Sequence, residues 1–330
     1  MLSYLGYGVL YITFFIGQLS ADVHKSQRLQ SQKPLYEEKP KKKPFVTCNL
    51  HGQLGNQLYE IATTLAYAWD HDAEPIFPEL KKNNFNIPMN RERIFFRLNA
   101  SLLPRSIKYT FTHKNNFEKK EIPVRPDQNL HGFFQTWEYF DHHRQKLINI
   151  FAPRPEELKK IQTKHAELLK HSCTIGVHVR TFNKPWAKLI PFVGLSYYED
   201  AISVFPANAL FVIFSDRINW AKHHFKKFNR PMIFIEGQDH IEDFFLMSML
   251  KHNVIGNSSF SWWAAYLNKN PNKVVIAPSH FIRPNEKRKL CNANMPDWFV
   301  LDIDCNAPYP DDMYSYDAYS ASLDTQNKED

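Results

Sequence analysis

The second half of the chain alternates short apolar runs with stretches of helical spacing, and few folds outside the α/β class accommodate that alternation. The apolar runs predict strands at 174–179, 209–214, 232–235, 253–255 and 274–277, with helices near 196–204, 217–228, 240–251 and 260–268. The first half follows the same plan more loosely. A strand at 45–49 leads through a glycine turn into a helix over about 56–70, where Leu58, Ala62, Leu65, Ala66 and Trp69 share one face. Residues 81–128 are polar and irregular and suggest no element. His131-Gly132-Phe133-Phe134-Gln135 opens a segment that continues into a helix, and Pro155 starts an amphipathic helix running to about residue 170. A boundary near 171 separates two α/β halves, expected to face a cleft because parallel sheets take ligands at the carboxyl ends of their strands.

The 330 residues are 43% hydrophobic and 15% aromatic, which excludes disorder for the bulk of the chain. The formal net charge is +7 and is unevenly spread: residues 24–44 hold seven basic and two acidic side chains, and 311–330 hold six acidic ones and a single lysine. The body between them is mildly basic, which suits an anionic ligand such as a nucleotide diphosphate. It carries no nucleic-acid module or arginine-rich stripe, so nucleic acid is not an expected partner. Residues 1–22 form an apolar segment, 23–44 a basic Lys/Pro-rich stem, and 310–330 an acidic tail expected to be disordered. The run at 2–19 is just long enough to span a bilayer and no lysine or arginine precedes it. A retained single-pass anchor is therefore preferred over a cleaved signal segment, and a membrane is an expected partner. Cys48 and Cys173 lie in strand-like runs and read as free thiols, whereas Cys291 and Cys305 could pair in an oxidising compartment.

Four motifs carry polar groups at the ends of apolar runs. His51-Gly52-Gln53-Leu54-Gly55-Asn56-Gln57 joins a strand to a helix; its glycines permit close backbone approach, and the helix start offers free amides to an anion. Gly176-Val177-His178-Val179-Arg180 puts His178 and Arg180 on one face of a strand, where the arginine can hold a phosphate through two hydrogen bonds. Phe214-Ser215-Asp216 ends another strand with a carboxylate that could accept from a guanine edge or cap the next helix. The densest is Asn257-Ser258-Ser259-Phe260-Ser261-Trp262-Trp263, where Ser258 or Ser259 can cap a helix while amides and hydroxyls face an oxyanion, and Phe260, Trp263, Ala264 and Leu267 form a buried stripe. Asp302-Ile303-Asp304 is a DxD that chance strand alternation explains, and the pairs His142-His143 and His223-His224 lack the spacing of a helical zinc site.

Together these residues resemble the galactoside α-1,2-fucosyltransferase family, glycosyltransferase family eleven. The matching segments are Gly52 to Gln57, His131 to Gln135, His178-Val179-Arg180, Phe214-Ser215-Asp216, Glu242-Asp243 with Leu246-Met247-Ser248, and Asn257 to Trp263, within roughly residues 45–282. The resemblance implies a GT-B-like fold of two Rossmann-like halves: an acceptor-side domain at 45–170 and a donor-binding domain at 171–309. It also implies GDP-fucose as donor, inversion at the anomeric carbon, transfer to the 2-hydroxyl of a galactose-containing glycan, and no required metal or other cofactor. By the same resemblance Arg180 is the catalytic residue and holds the β-phosphate, and His178 and Asp216 lie near the guanosine. Asn257, Ser258, Ser259 and Phe260, with Gly55 and Asn56, complete the donor site. The chain departs from the family at Thr181 and Asn183, where HxRRxD has arginine and aspartate, and at Arg217, where a second aspartate is usual. Two alternatives follow: a catalytically impaired sugar-nucleotide or glycan-binding protein of this fold, or a transferase using another GDP-sugar. An anchored enzyme would be of the Golgi type in a eukaryote, or on the cytoplasmic face of the inner membrane in a bacterium. No carboxylate in the sequence holds a privileged position as general base.

Overall fold

A computed structural model describes residues 42–114, 117–285 and 293–316. The expected anchor, nearly all of the stem, Cys291 and residues 317–330 lie outside the described residues. Among the described residues no helix is long and apolar enough to cross a membrane.

The chain builds two parallel sheets. The first takes β1 (Phe45–Cys48), β2 (Glu74–Pro75), β3 (Tyr109–Thr112) and β4 (Gln128–His131) in the order β2-β1-β4-β3. The second takes β5 (Thr174–Val179), β6 (Leu210–Ser215), β7 (Met232–Phe234), β8 (His252–Val254), β9 (Val275–Pro278) and β10 (Phe299–Leu301) in the order β7-β6-β5-β8-β9-β10. All pairs run parallel. The second order is that of a doubly wound sheet. The chain leaves β5 toward one edge, then returns to β8 on β5's other side, so a crevice forms between the carboxyl ends of β5 and β8. The α/β class and the two parallel-sheet halves expected from the sequence are both present.

The helices are α1 (Leu54–Asp70), α2 (Ile87–Arg93), α3 (Arg144–Ile150), α4 (Pro155–Lys164), α5 (Ala166–Lys170), α6 (Lys184–Ala187), α7 (Leu195–Ser203), α8 (Ile218–Phe225), α9 (His240–Met249) and α10 (Ser259–Leu267). Period-two alternation decides what each face of the second sheet packs against. Ile175, Val177, Phe211 and Ile213 share a core with Tyr198 and Ala201 of α7 and Trp220 and Ala221 of α8. Val212 and Phe214 point the other way, into a larger core with α9, α10, α1 and β1. That larger core explains why α1 is buried nearly all round rather than along the single expected face: it lies between β1 and α10.

Three expectations change. The unassigned region contains β3, α2 and the start of β4. β4 escaped notice because it is polar yet buried, with Asn129 Nδ2 donating to Asn49 Oδ1 at 2.8 Å. The helix expected over 155–170 breaks at His165, whose ring bonds to Gln238 Oε1 at 3.0 Å. Residues 310–316, expected to open a disordered tail, form a 3-10 turn at Asp311–Ser315 instead. Met313 is fully buried in the α7/α8 core, and Trp220 Nε1 donates to Asp312 Oδ1 at 3.2 Å.

Candidate donor site

Arg180 follows β5, Asp216 follows β6, and Gly256-Asn257-Ser258 follows β8, so three of the four motifs reach the same carboxyl edge of the second sheet. Arg180 and Gly256 flank the crevice where the strand order reverses. A Cβ on Gly256 would lie 3.0 Å from His178 O and 3.8 Å from the Arg180 amide nitrogen. Arg180 Nη1 sits 3.0 Å from Asp216 Oδ2, while Thr181 donates through both its amide (2.9 Å) and its hydroxyl (3.0 Å) to Asp216 Oδ1. Asp216 therefore makes three contacts with two neighbours, Arg180 and Thr181, and holds the arginine in place. It does not cap α8, whose N-cap position is Arg217.

His178 lies on the face of β5 opposite Val177, as period-two spacing requires, with its ring 5.4 Å from that of Phe260 in the first turn of α10. Burial, with a smaller contribution from Arg180, pushes its pKa down to about 3, so the ring is neutral. Its Nδ1 has no hydrogen-bond partner among the described residues although the side chain is buried, an arrangement that costs free energy unless a ligand supplies one.

The glycine motif joins this edge from the other sheet. At Gly55 a Cβ would lie 2.5 Å from Ser259 C and Phe260 N, both backbone atoms, so only glycine lets the start of α1 touch the start of α10. Asn56 Oδ1 fixes the junction by accepting from Ser259 Oγ (2.9 Å) and Gln135 Nε2 (3.0 Å). Two helix amino termini thus meet. Neither has an acidic residue in its first turn, and neither Gln53 nor Ser258 caps through its side chain, contrary to the expected serine cap. Ser259 Oγ is committed to Asn56 instead. Each terminus carries roughly half a positive charge and unpaired amides, and bringing two together costs energy that an anion between them would offset.

The remaining expected residues divide by role. Asn257 is buried and its Nδ2 donates to Pro191 O, so it pins the 184–194 loop. Trp262 and Trp263 are fully buried, and α10 is apolar nearly all round rather than along one stripe, because α1 and α9 both pack on it. Glu242 binds Lys160 and Lys164, which ties α9 to α4. Of the departures, Thr181 serves Asp216. Arg217 donates to Tyr316 O (2.9 Å) and Asn183 Oδ1 (3.3 Å), anchoring the 311–316 turn beside the site.

Two gatherings that could hold a metal escaped sequence reading, since the third member of each is remote in the chain: Asp70 with His142 and His143, and Asp312 with His223 and His224. Asp302 and Asp304 are exposed, and Asp304 Oδ1 accepts from the Asn306 amide. A separate concavity of about 540 Å³ lies at the far end of α10, lined by Arg144, Lys269 and Lys273 among others. It suits an anion less well, because Lys273 Nζ is already bonded to Ala265 O and Asn268 O and the helix presents its negative end there.

The family model described as Glycosyl transferase family 11 matches residues 17–302. The O-antigen biosynthesis glycosyltransferase WbnK of Escherichia coli is 28% identical over 66% of this chain and 74% of its own length. An alpha-1,2-colitosyltransferase of Escherichia coli is 33% identical over 47% of this chain and 56% of its own, and the galactoside 2-alpha-L-fucosyltransferase SEC1 of Bos taurus is 26% identical over 76% and 72%. Among solved structures, the fucosyltransferase NodZ from Bradyrhizobium superposes with a TM-score of 0.48 at 12% identity, covering 68% of this chain and 92% of that one.

Proposed function

The chain belongs to glycosyl transferase family 11, and on that premise we propose that it moves L-fucose from GDP-L-fucose to the 2-hydroxyl of a galactoside, with inversion and without a metal. One observation carries the reading: two uncapped helix amino termini meet at Gly55 and Ser259, near the crevice that Arg180 flanks. A leaving diphosphate gains negative charge as the bond to the sugar breaks, and this arrangement supplies positive potential and amide donors without reorganisation. Arg180, held by Asp216, meets the β-phosphate, and neutral His178 offers its Nδ1 to the donor. Loss of one such donor typically costs about 3–4 kcal/mol of barrier. The acceptor hydroxyl attacks the anomeric carbon from the side opposite the diphosphate, through an oxocarbenium-like transition state.

The name of the colitosyltransferase relative supports a second reading, transfer of colitose to a similar acceptor. A panel of GDP-sugars assayed with β-galactoside acceptors separates the two. In the same assay Arg180→Ala should lower transfer at least ~100-fold with an unchanged melting temperature; near-normal transfer would contradict the site. EDTA should leave the rate within about twofold, and strong inhibition would contradict the metal-free reading.

A further inference from the structure

We propose that His51, oriented by the buried Glu60, is the general base that takes the proton of the acceptor hydroxyl; this rests on the donor-site reading above. His51 follows β1 on the glycine turn that leads into α1. Its amide donates to both carboxylate oxygens of Glu60, at 3.2 and 3.0 Å, and its ring Nδ1 lies 3.1 Å from Glu60 Oε1. Glu60 is on α1 with its side chain fully buried. No lysine or arginine pairs with it among the described residues. Burying a carboxylate without a cation costs several kcal/mol, roughly, so its retention here calls for a reason.

With Glu60 Oε1 as the acceptor of the 3.1 Å contact, the ring hydrogen is on Nδ1 and the lone pair on Nε2 is free. The ring is about one-third exposed and packs edge-on against His131 at 5.0 Å and Phe133 at 5.9 Å, both in the segment that follows or ends β4. Burial lowers the imidazole pKa from its ordinary value, Glu79 opposes that shift and Lys82 adds to it. The resting ring is neutral, as a base must be. Burial also pushes the Glu60 carboxyl up, against the hydrogen bond from the His51 amide.

His51 stands at the carboxyl edge of the first sheet, five residues before Asn56, whose carboxamide bonds to Ser259 at the head of α10. The turn that carries His51 thus leads into the helix whose start meets the head of α10. In the step, the hydroxyl oxygen forms a bond to the anomeric carbon and the bond from that carbon to the β-phosphate oxygen breaks. Its electron pair leaves with GDP, and the hydroxyl proton passes to His51 Nε2. Glu79 favours the imidazolium, and the Glu60 contact holds the ring in place, until that proton is lost to water.

The decisive variant is His51→Asn, because asparagine keeps a donor where Nδ1 stands and removes Nε2. Transfer from GDP-fucose to a β-galactoside should fall by ~10²–10⁴-fold, and the acid limb of the kcat profile should vanish. GDP affinity by calorimetry should stay within about threefold of wild type. Glu60→Gln, a change to the positioning residue, should shift that acid limb as well as lower kcat. Transfer within about threefold of wild type in His51→Asn, or a loss of GDP affinity equal to the loss of rate, would overturn the assignment. Failure of the wild-type chain to bind GDP would overturn the donor reading, and the base with it.

Discussion

Asp243 shows how one buried carboxyl couples to the stability of the fold. It lies on α9 one position after Glu242, and burial pushes its carboxyl from the ordinary 3.8 up to about 7, with Gln238 Nε2 opposing the shift through a 2.7 Å hydrogen bond. A raised folded pKa means that the native state binds the proton more tightly than the unfolded chain. The stability it contributes is full below about pH 4 and is lost as pH rises toward 7. Asp243→Asn keeps the acceptor and removes the titration. Its melting temperature should exceed that of wild type by a margin that grows from pH 5 to pH 7.5 and then levels off, each kcal/mol being worth about 2–4 °C. A margin that stays constant across that range would show that Asp243 does not titrate there. At this scale the sequence was informative where chemistry sits at strand ends. Arg180 could be singled out because an apolar run ends at it, whereas His178 and Asp216 rested mainly on the family resemblance. The His51–Glu60 pair could not be singled out, since burial of a carboxylate across a glycine turn leaves no pattern in the sequence. Asp216 was legible as a candidate but not as the group that holds Arg180, because Thr181 and Asp216 are 35 residues apart.

At the scale of elements, the contact between α1 and α10 joins the two sheets at the site. Gly55→Ala puts a methyl group 2.5 Å from backbone atoms of Ser259 and Phe260, which cannot swing aside as a side chain can. Overpacking of this kind costs about 1–3 kcal/mol, and parting the helix termini should weaken GDP binding as well. Denaturant unfolding and calorimetry on the variant read both effects; unchanged stability would mean that the helices do not meet as described. Five of the six strands of the second sheet were placed within one residue, since buried parallel strands are continuous apolar runs, and β10, a short and largely exposed edge, was missed. The first sheet was half hidden. β3 is a largely exposed edge and β4 is rich in Gln and Asn, so neither gives the expected hydrophobic signal.

At the scale of the whole molecule, a doubly wound sheet faces its strand-order reversal toward the glycine turn of a second parallel sheet, and the 311–316 turn buttresses one side through Arg217, Tyr316 and Met313. That turn was unreadable in the sequence because its acidic composition matches that of a solvated tail, while a single buried methionine anchors it. The proposed diphosphate site lies where the start of α1 meets the start of α10, near Arg180. Titration calorimetry with GDP and GMP, on wild type and on Arg180→Ala, tests it most directly. Wild type should prefer GDP over GMP by more than about tenfold, ~1.4 kcal/mol, and the preference should collapse in the variant. Equal affinity for the two nucleotides, or a preference that survives the loss of Arg180, would contradict it.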